Sequence, residues 1–263
     1  MKVSRRKFLR MSVQTLGGGI VLYVASPAIL RAALQEEATG TPAAELTREE
    51  HSWGFAIDVR RCIGCHKCVQ ACKLENGVPL EPEYRRTWVE RYEISEDGAV
   101  FVDSVSWGQD GPESIYPNAK RNGHESAKSF FVPKLCNQCE NPPCVQVCPV
   151  SATFKARNGV ILVDGRRCIG CKYCIVACPY GARFLNPETR VAEKCTWCYH
   201  RITRGLLPAC VQVCPVGARV FGDMKDPESP VRRLIREEMT QVLKSALGTK
   251  PKVYYAGLQE GVR

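Results

Sequence analysis

The sixteen cysteines of this chain fall into four groups of four, with none left over. They are Cys62, Cys65, Cys68 and Cys72; Cys136, Cys139, Cys144 and Cys148; Cys168, Cys171, Cys174 and Cys178; and Cys195, Cys198, Cys210 and Cys214. The third group is written C-x2-C-x2-C-x3-C-P, closing on Pro179, which is a ligand run for a cubane iron–sulfur cluster. Three thiolates have to converge on three corners of one small cube, so the backbone must curl round it in a short loop. Gly170 removes a Cβ where that loop passes close to the cube, and Pro179 stops the turn after Cys178 from continuing as helix. The first group has the same spacing, but Lys73 stands where the proline would be. The second is widened by Pro142-Pro143, and the fourth by an 11-residue gap holding Gly205 and Pro208. On spacing alone, each run supplies the four ligands of one cube.

Other uses of the thiols fit less well. Cysteines three apart and grouped in threes make poor disulfides. Four-cysteine zinc sites are usually two separated C-x2-C pairs. Four [4Fe-4S] clusters are therefore expected, with the sixteen cysteines as iron ligands. No nucleotide fingerprint, Ser-His-Asp arrangement or paired catalytic carboxylate accompanies them, so no catalytic residue is assigned. His66, inside the first loop, and His200, beyond Cys198, are read as exposed-loop residues, the alternative being a hydrogen bond near a cluster that tunes its potential. His51 and His124 fall in linker and loop and carry no signal. Trp197 and Tyr173 lie between ligands, where they either shield a cluster from water or pack in the ordinary way.

The elements that must hold such loops are short. Phe55 to Val59 alternates like a strand and delivers the chain to Cys62. Cys148-Pro-Val-Ser-Ala152, Cys178-Pro-Tyr-Gly-Ala182 and Cys214-Pro-Val-Gly-Ala218 are one motif written three times, each followed by a strand-like segment. The repeated unit is cluster loop, short helix, proline, strand, which is the ferredoxin building block. Asn158-Gly159 marks a hairpin between Thr153-Phe-Lys155 and Val160 to Val163. A second hairpin turns at Asn186-Pro187, between Ala182–Leu185 and Arg190–Ala192. Residues 83–107 read as an inserted β-hairpin turning at Ser95 to Gly98, and residues 108–129 as loop. Residues 230–247 read as a C-terminal helix, opening on Pro230 and ending at Gly248, with Leu234, Ile235, Met239, Val242 and Leu243 on one face. Val253 to Tyr255 is a last strand. The fold class is α+β: two ferredoxin-like halves, the inserted hairpin and the C-terminal helix.

The 263 residues suffice for one large domain or two small ones, and a 44% hydrophobic content allows a packed core. A net charge of +10 would suggest an anionic partner. Here the thiolate clusters offset much of it, and Arg61, Lys67, Arg167, Lys172 and Lys194 sit beside cysteines. There is no basic stripe interleaved with aromatics, so nucleic-acid binding is not expected.

Residues 1–33 read as a targeting segment. Ser4-Arg5-Arg6-Lys7-Phe8-Leu9-Arg10 resembles the twin-arginine export motif, and the apolar stretch Leu16 to Leu30 is 15 residues long, short of the ~20 of a membrane helix. Ser26-Pro27-Ala28 offers small residues for cleavage, an uncleaved anchor being the alternative. Residues 34–54 read as a linker. Exported proteins usually oxidise their cysteines. The twin-arginine route carries folded proteins, so clusters inserted beforehand already occupy the thiolates. The expected location is the periplasm or the outer face of the cytoplasmic membrane.

Leu135-Cys-Asn-Gln-Cys-Glu-Asn-Pro-Pro-Cys144, Lys194-Cys-Thr-Trp-Cys198, Pro208-Ala-Cys-Val-Gln-Val-Cys-Pro215, Phe221-Gly-Asp223 and Gly248-Thr-Lys-Pro-Lys-Val-Tyr-Tyr255 carry a family resemblance over residues 55–255. The chain resembles the four-cluster iron–sulfur subunits of membrane-associated molybdopterin oxidoreductases, the group holding the electron-transfer subunits of polysulfide, thiosulfate, tetrathionate and dimethyl sulfoxide reductases. The resemblance implies a ligand exchange in which the fourth cysteine of a run serves a neighbouring cluster. Cys168, Cys171 and Cys174 would pair with Cys148. Cys136, Cys139 and Cys144 would pair with Cys178. Cys62, Cys65 and Cys68 would pair with Cys214, and Cys195, Cys198 and Cys210 with Cys72. The inner half would be residues 130–192, and the outer half 55–82 plus 193–223. Some relatives replace a ligand and hold a three-iron cluster; sixteen cysteines favour four cubanes. The implied function is an exported wire passing single electrons between a membrane-integral quinone-reactive subunit and a molybdopterin catalytic subunit of an anaerobic respiratory reductase, of sulfur-oxyanion type. The alternatives are a molybdenum-free membrane redox complex linked to cytochromes or sulfite reduction and, in another class, a zinc-binding structural protein.

Overall fold

A four-stranded sheet in the order β10–β11–β1–β9 ties the two ends of the domain together. In this computed structural model residues 51–104, 126–259 and 261–262 are described. The twin-arginine segment, nearly all of the linker and His124 lie outside them. Strand β1 (Trp53–Asp58) is buried from Phe55 onward because it is central. It runs parallel to β11 (Val253–Ala256) and antiparallel to β9 (Arg219–Asp223), in the register Phe55↔Val253 and Phe55↔Phe221. Fully covered strands read as continuous apolar runs, and Gly-Phe-Ala-Ile does so.

A three-stranded sheet, β3–β2–β4, holds the inserted hairpin. Strands β2 (Thr87–Ser95) and β3 (Val100–Ser104) pair antiparallel through a turn in which Gly98 N–H donates to Ser95 C=O at 2.9 Å. The third strand, β4 (Ser126–Leu135), is a correction: its first four residues fall in the stretch read as loop. Pro133 disguises it. It is tolerated because β4 lies at the sheet edge, where one side of the strand has no ladder partner.

Two small hairpins complete the sheets. Strands β5 (Thr153–Lys155) and β6 (Ile161–Val163) form one, and β7 (Arg183–Leu185) and β8 (Ala192–Lys194) the other. The helices are α1 (Lys67–Asn76), α2 (Pro143–Gln146), α3 (Tyr173–Val176), α4 (Tyr199–Ile202), α5 (Ala209–Gln212) and α6 (Pro230–Glu237). Helices α2, α3 and α5 are four residues long, and each stops before a Cys-Pro pair. Helix α1 runs ten residues, through Cys72 and Lys73, where there is no proline.

The C-terminal helix is shorter than its amphipathic pattern predicts. Helix α6 ends at Glu237, and Thr240–Gln241 leaves it to form β10 against Ala256 and Tyr255. Glu238, at the exit, is held by Arg60 at 2.7 Å. Of the expected apolar face, Leu243 is 4% exposed and Met239 is 89% exposed, while Val231 at 0% is the buried anchor. Gly248 caps a separate 3-10 turn, Ser245–Leu247, at φ +64°. The core centres on Trp197, whose ring meets Phe55 and Phe221 at centroid distances of 6.4 and 5.5 Å.

Candidate cluster sites

The cysteine loops curl by placing residues in the left-handed region. His66 (φ +56°), Gln138 (+46°), Lys172 (+65°) and Trp197 (+56°) each sit one or two residues from a cysteine. Such a backbone costs ~1–2 kcal/mol for a residue with a Cβ, so surrounding contacts must hold it. For Gln138 they are plain: its side chain donates to Cys195 C=O at 2.8 Å and accepts from Ile161 N–H at 2.7 Å. Gly170 is also left-handed, at φ +69°, but a Cβ there would meet the Arg190 carbonyl oxygen at 2.8 Å. What crowds it is a neighbouring backbone, a second reason for a glycine at this position.

The structure brings together thiols from different runs. Cys62, Cys65, Cys68 and Cys214 line one cavity, with His66, Pro215 and Arg219 in its wall. Cys136, Cys139, Cys144 and Cys178 line a second, with Asn137, Pro179 and Arg183. Cys72, on α1, faces Cys195, Cys210 and Cys198 closely enough that their charges act on it. Cys148, Cys168, Cys171 and Cys174 lie on adjoining loops: α2 and α3 pack together, and Asp164 N–H donates to Ala152 C=O at 2.8 Å.

Burial governs the thiols. It pushes Cys62 up to about 11 and Cys139, Cys195 and Cys210 up to about 12, with neighbouring cysteines adding repulsion. Cys148 is the exception. Burial raises it, but N–H groups of Thr153, Val150 and Ala152 outweigh that, and its pKa falls. Four thiolates crowded in such a place need compensating positive charge, which the irons of a cluster supply. The walls also present donors that await an acceptor. Arg183 Nη2, Arg219 Nε and Nη1 and Asn137 Nδ2 are buried without a partner, and so is the acceptor Asn137 Oδ1. Among the described residues, no three His, Cys, Asp or Glu side chains are drawn close enough to share a single metal ion. Thiols spread around a cavity and backed by buried N–H groups are the donor set of a cluster, whose sulfides accept hydrogen bonds.

The flanking residues sort differently from expectation. His66 is 2% exposed rather than on an open loop. Burial, and then the charge of Arg219, push its pKa down to about 4. His200 is exposed and bonds Glu75 at 2.7 Å. His51 closes the end of β1 by bonding Asp223 at 2.7 Å. Trp197 is core at 1% exposure, whereas Tyr173 is 62% exposed. Arg183, Arg219, Asn137 and Gln138 were not singled out by motif reading. The signal for the first two was present: in two of the three Cys-Pro repeats the alanine is followed by arginine, at a strand position that must point inward.

Comparisons with known proteins point to the same cofactor. A model described as a 4Fe-4S dicluster domain matches residues 127–224, and a second of the same description matches residues 61–152. A tetrathionate reductase subunit of Salmonella typhimurium is 39% identical over 268 residues, covering 99% of this chain and 90% of that one. A polysulfide reductase chain from Wolinella succinogenes is 36% identical over 210 residues, covering 80% and 96%. The Hdr-like menaquinol oxidoreductase iron-sulfur subunit 1 of Archaeoglobus fulgidus is 35% identical over 296 residues, covering 97% and 98%. With its two dicluster domains and four [4Fe-4S] clusters, the chain belongs to the family of iron–sulfur electron-transfer subunits of multi-subunit reductase complexes.

Proposed function

We propose that this chain is an exported wire carrying single electrons between a membrane-integral quinone-reactive subunit and a molybdopterin catalytic subunit of a sulfur-oxyanion reductase. Its four ligand sets are Cys62, Cys65, Cys68 with Cys214; Cys195, Cys198, Cys210 with Cys72; Cys136, Cys139, Cys144 with Cys178; and Cys168, Cys171, Cys174 with Cys148. The observation that carries the reading is the pair of cavities in which three cysteines of one run meet the last cysteine of another. Each cluster supplies reversible one-electron chemistry when bound. The chain's own part is to space the sites, exclude water from them and leave two ends accessible.

Accessibility supports that division. Of the sixteen cysteines, Cys65 and Cys171 are the exposed ones, and they belong to different sets. Ile63 beside one, and Ile169, Tyr173 and Val176 beside the other, are exposed apolar residues suited to covering by partner subunits. Among the described residues no helix is long and apolar enough to cross a membrane. A separate subunit would then make the quinone contact, with export by the twin-arginine segment placing the chain at the outer face.

Purification of the native complex, with assays of molybdenum, iron and quinol oxidation, tests this reading. Molybdenum in stoichiometric amount is expected, and its absence would overturn the molybdopterin partner. The likeness to a menaquinol oxidoreductase subunit favours a second reading, in which the same wire serves a membrane redox complex without molybdenum. The same assay separates the two.

A further inference from the structure

Three buried cations stand between the cysteine sets. Arg183, Lys194 and Arg219 are 6%, 1% and 2% exposed. Arg183 lines the cavity of Cys136, Cys139, Cys144 and Cys178. Burial works against its charge, and thiolates at Cys144, Cys174 and Cys136 work for it, so it faces two sets at once. Arg219 lines the cavity of Cys62, Cys65, Cys68 and Cys214. Its charge is opposed by burial and favoured by Cys68, Cys210 and Cys62, again two sets. Lys194 lies in the remaining gap. Burial opposes its charge most, Cys136 favours it, Arg183 opposes it, and Cys195 and Cys144 favour it. Laid end to end, these electrostatic influences order the sets: the one holding Cys174, then Arg183, the one holding Cys136, then Lys194, the one holding Cys195, then Arg219, and last the one holding Cys62.

The cations are held by neutral groups. Arg183 Nη1 donates to Thr153 Oγ1 at 3.3 Å and Arg219 Nη2 to Thr87 Oγ1 at 2.8 Å. Lys194 Nζ donates to the carbonyls of Ile161 and Cys195. Among the described residues none of the three pairs with a carboxylate. A buried cation placed for packing needs an anion beside it. Here the anions are the thiolate sets, and the guanidinium nitrogens left without partners face them.

We propose that Arg183, Lys194 and Arg219 set the reduction potentials of this wire, one cation at each of its three junctions. Each holds up the potentials of both flanking sites, because the reduced state carries one more negative charge and a nearby buried cation stabilises it. This inference rests on the ligand sets proposed above.

The test is an EPR-monitored redox titration, with iron analysis, on the loaded chain in its complex. It compares Arg183→Gln, Lys194→Gln and Arg219→Gln with the charge-keeping Arg183→Lys, Lys194→Arg and Arg219→Lys. Each Gln variant is expected to keep its iron and to shift the one-electron equilibrium of its two flanking sites about tenfold toward oxidation, ~59 mV downward. The distant sites should stay in place, and the charge-keeping variants should restore the wild-type values. Unmoved potentials at full iron content would overturn the proposal, as would equal shifts in the Gln and charge-keeping variants. If a Gln variant sheds iron, retention of iron and potentials by its charge-keeping counterpart supports the role of charge, and loss in both counts against it. Failure of the ligand sets themselves is separately visible, as loss in Cys178→Ser of the cluster held by Cys168, Cys171 and Cys174 in place of the one in the Cys136 cavity.

Discussion

The inner half expected at residues 130–192 and the outer half expected at residues 55–82 with 193–223 solve one problem by different means. The inner half is nearly continuous in sequence and has two small hairpins and two four-residue helices. Its Cys168–Cys178 loop faces outward, with Cys171 exposed. The outer half joins segments far apart in the chain, and β1 pairs with both β9 and β11. It also carries the ten-residue α1, and Cys72, Cys195, Cys198 and Cys210 are all buried. One proline separates the helix lengths. Pro179 ends the turn at Cys178, while Lys73 lets α1 run a further turn over the Cys72 site. Yet each half ends with one cysteine set near the surface, at Cys65 or Cys171, and one deeper set; the lesson is that local spacing in one stretch and a sheet assembled from both ends of the domain reach the same arrangement.

The largest effect expected from breaking this comparison is at the shared cysteines. Cys178→Ser lies in the Cys168 run but faces Cys136, Cys139 and Cys144. Its EPR spectrum should show the inner cluster of that cavity lost or converted, with the one held by Cys168, Cys171 and Cys174 retained. The reverse result would return each run to its own cube. Next in size are two aromatics at matching places between ligands. Trp197→Ala empties the centre of the outer half and should cost about 3–5 kcal/mol in denaturant unfolding of the loaded chain. Tyr173→Ala, on the exposed inner loop, should stay within about 0.5 kcal/mol. Equal costs would mean that the two loops are buried alike in the assembled state.

Much of this was legible in the sequence, and the reason is local chemistry. Asn158-Gly159 and the turn before Gly98 each specify their geometry within a few residues, and the structure holds both hairpins; ligand spacing names the cofactor in the same local way. What could not be read is non-local. Strand β4 hid behind Pro133, Ser129 and Lys128 because only its edge position makes a proline harmless there. The end of α6 is decided by Thr240 and Gln241 finding Ala256 and Tyr255, a partnership no helical pattern announces. His66 looked exposed because nothing in its loop says that Val89 and Pro133 close over the same cavity. Arg183 and Arg219 were visible only as the residue after a repeated alanine, and their burial beside two cysteine sets is a property of the packed whole.

A smaller test asks how α1, the outer half's added feature, is held. Lys73 replaces the proline of the other runs, and its ammonium is buried, donating to the carbonyls of Pro79 at 2.7 Å and Glu81 at 2.8 Å. It thereby fastens the loop that follows the helix. Lys73→Met keeps the stem and leaves two carbonyls without their donor, so stability should fall by about 2 kcal/mol, with faster proteolysis between residues 77 and 86.

A further modest effect is expected at the seam between the halves. Arg86 grips Glu193 of β8 at 2.9 Å and Asn76, the last residue of α1, at 3.1 Å. Asn186 of the inner hairpin holds the other oxygen of Glu193 at 2.7 Å. The Arg86 and Glu193 side chains are 16% and 15% exposed, so the pair is screened but not dry. Glu193→Gln removes the charge and keeps an acceptor for only one of its two donor neighbours, Arg86 and Asn186. A loss near 1 kcal/mol is expected, together with weaker salt dependence of unfolding than in the wild type. If the loss were several-fold larger, the two halves would depend on this contact for their union. If it were absent, the shared cysteines and the sheet would account for that union without it.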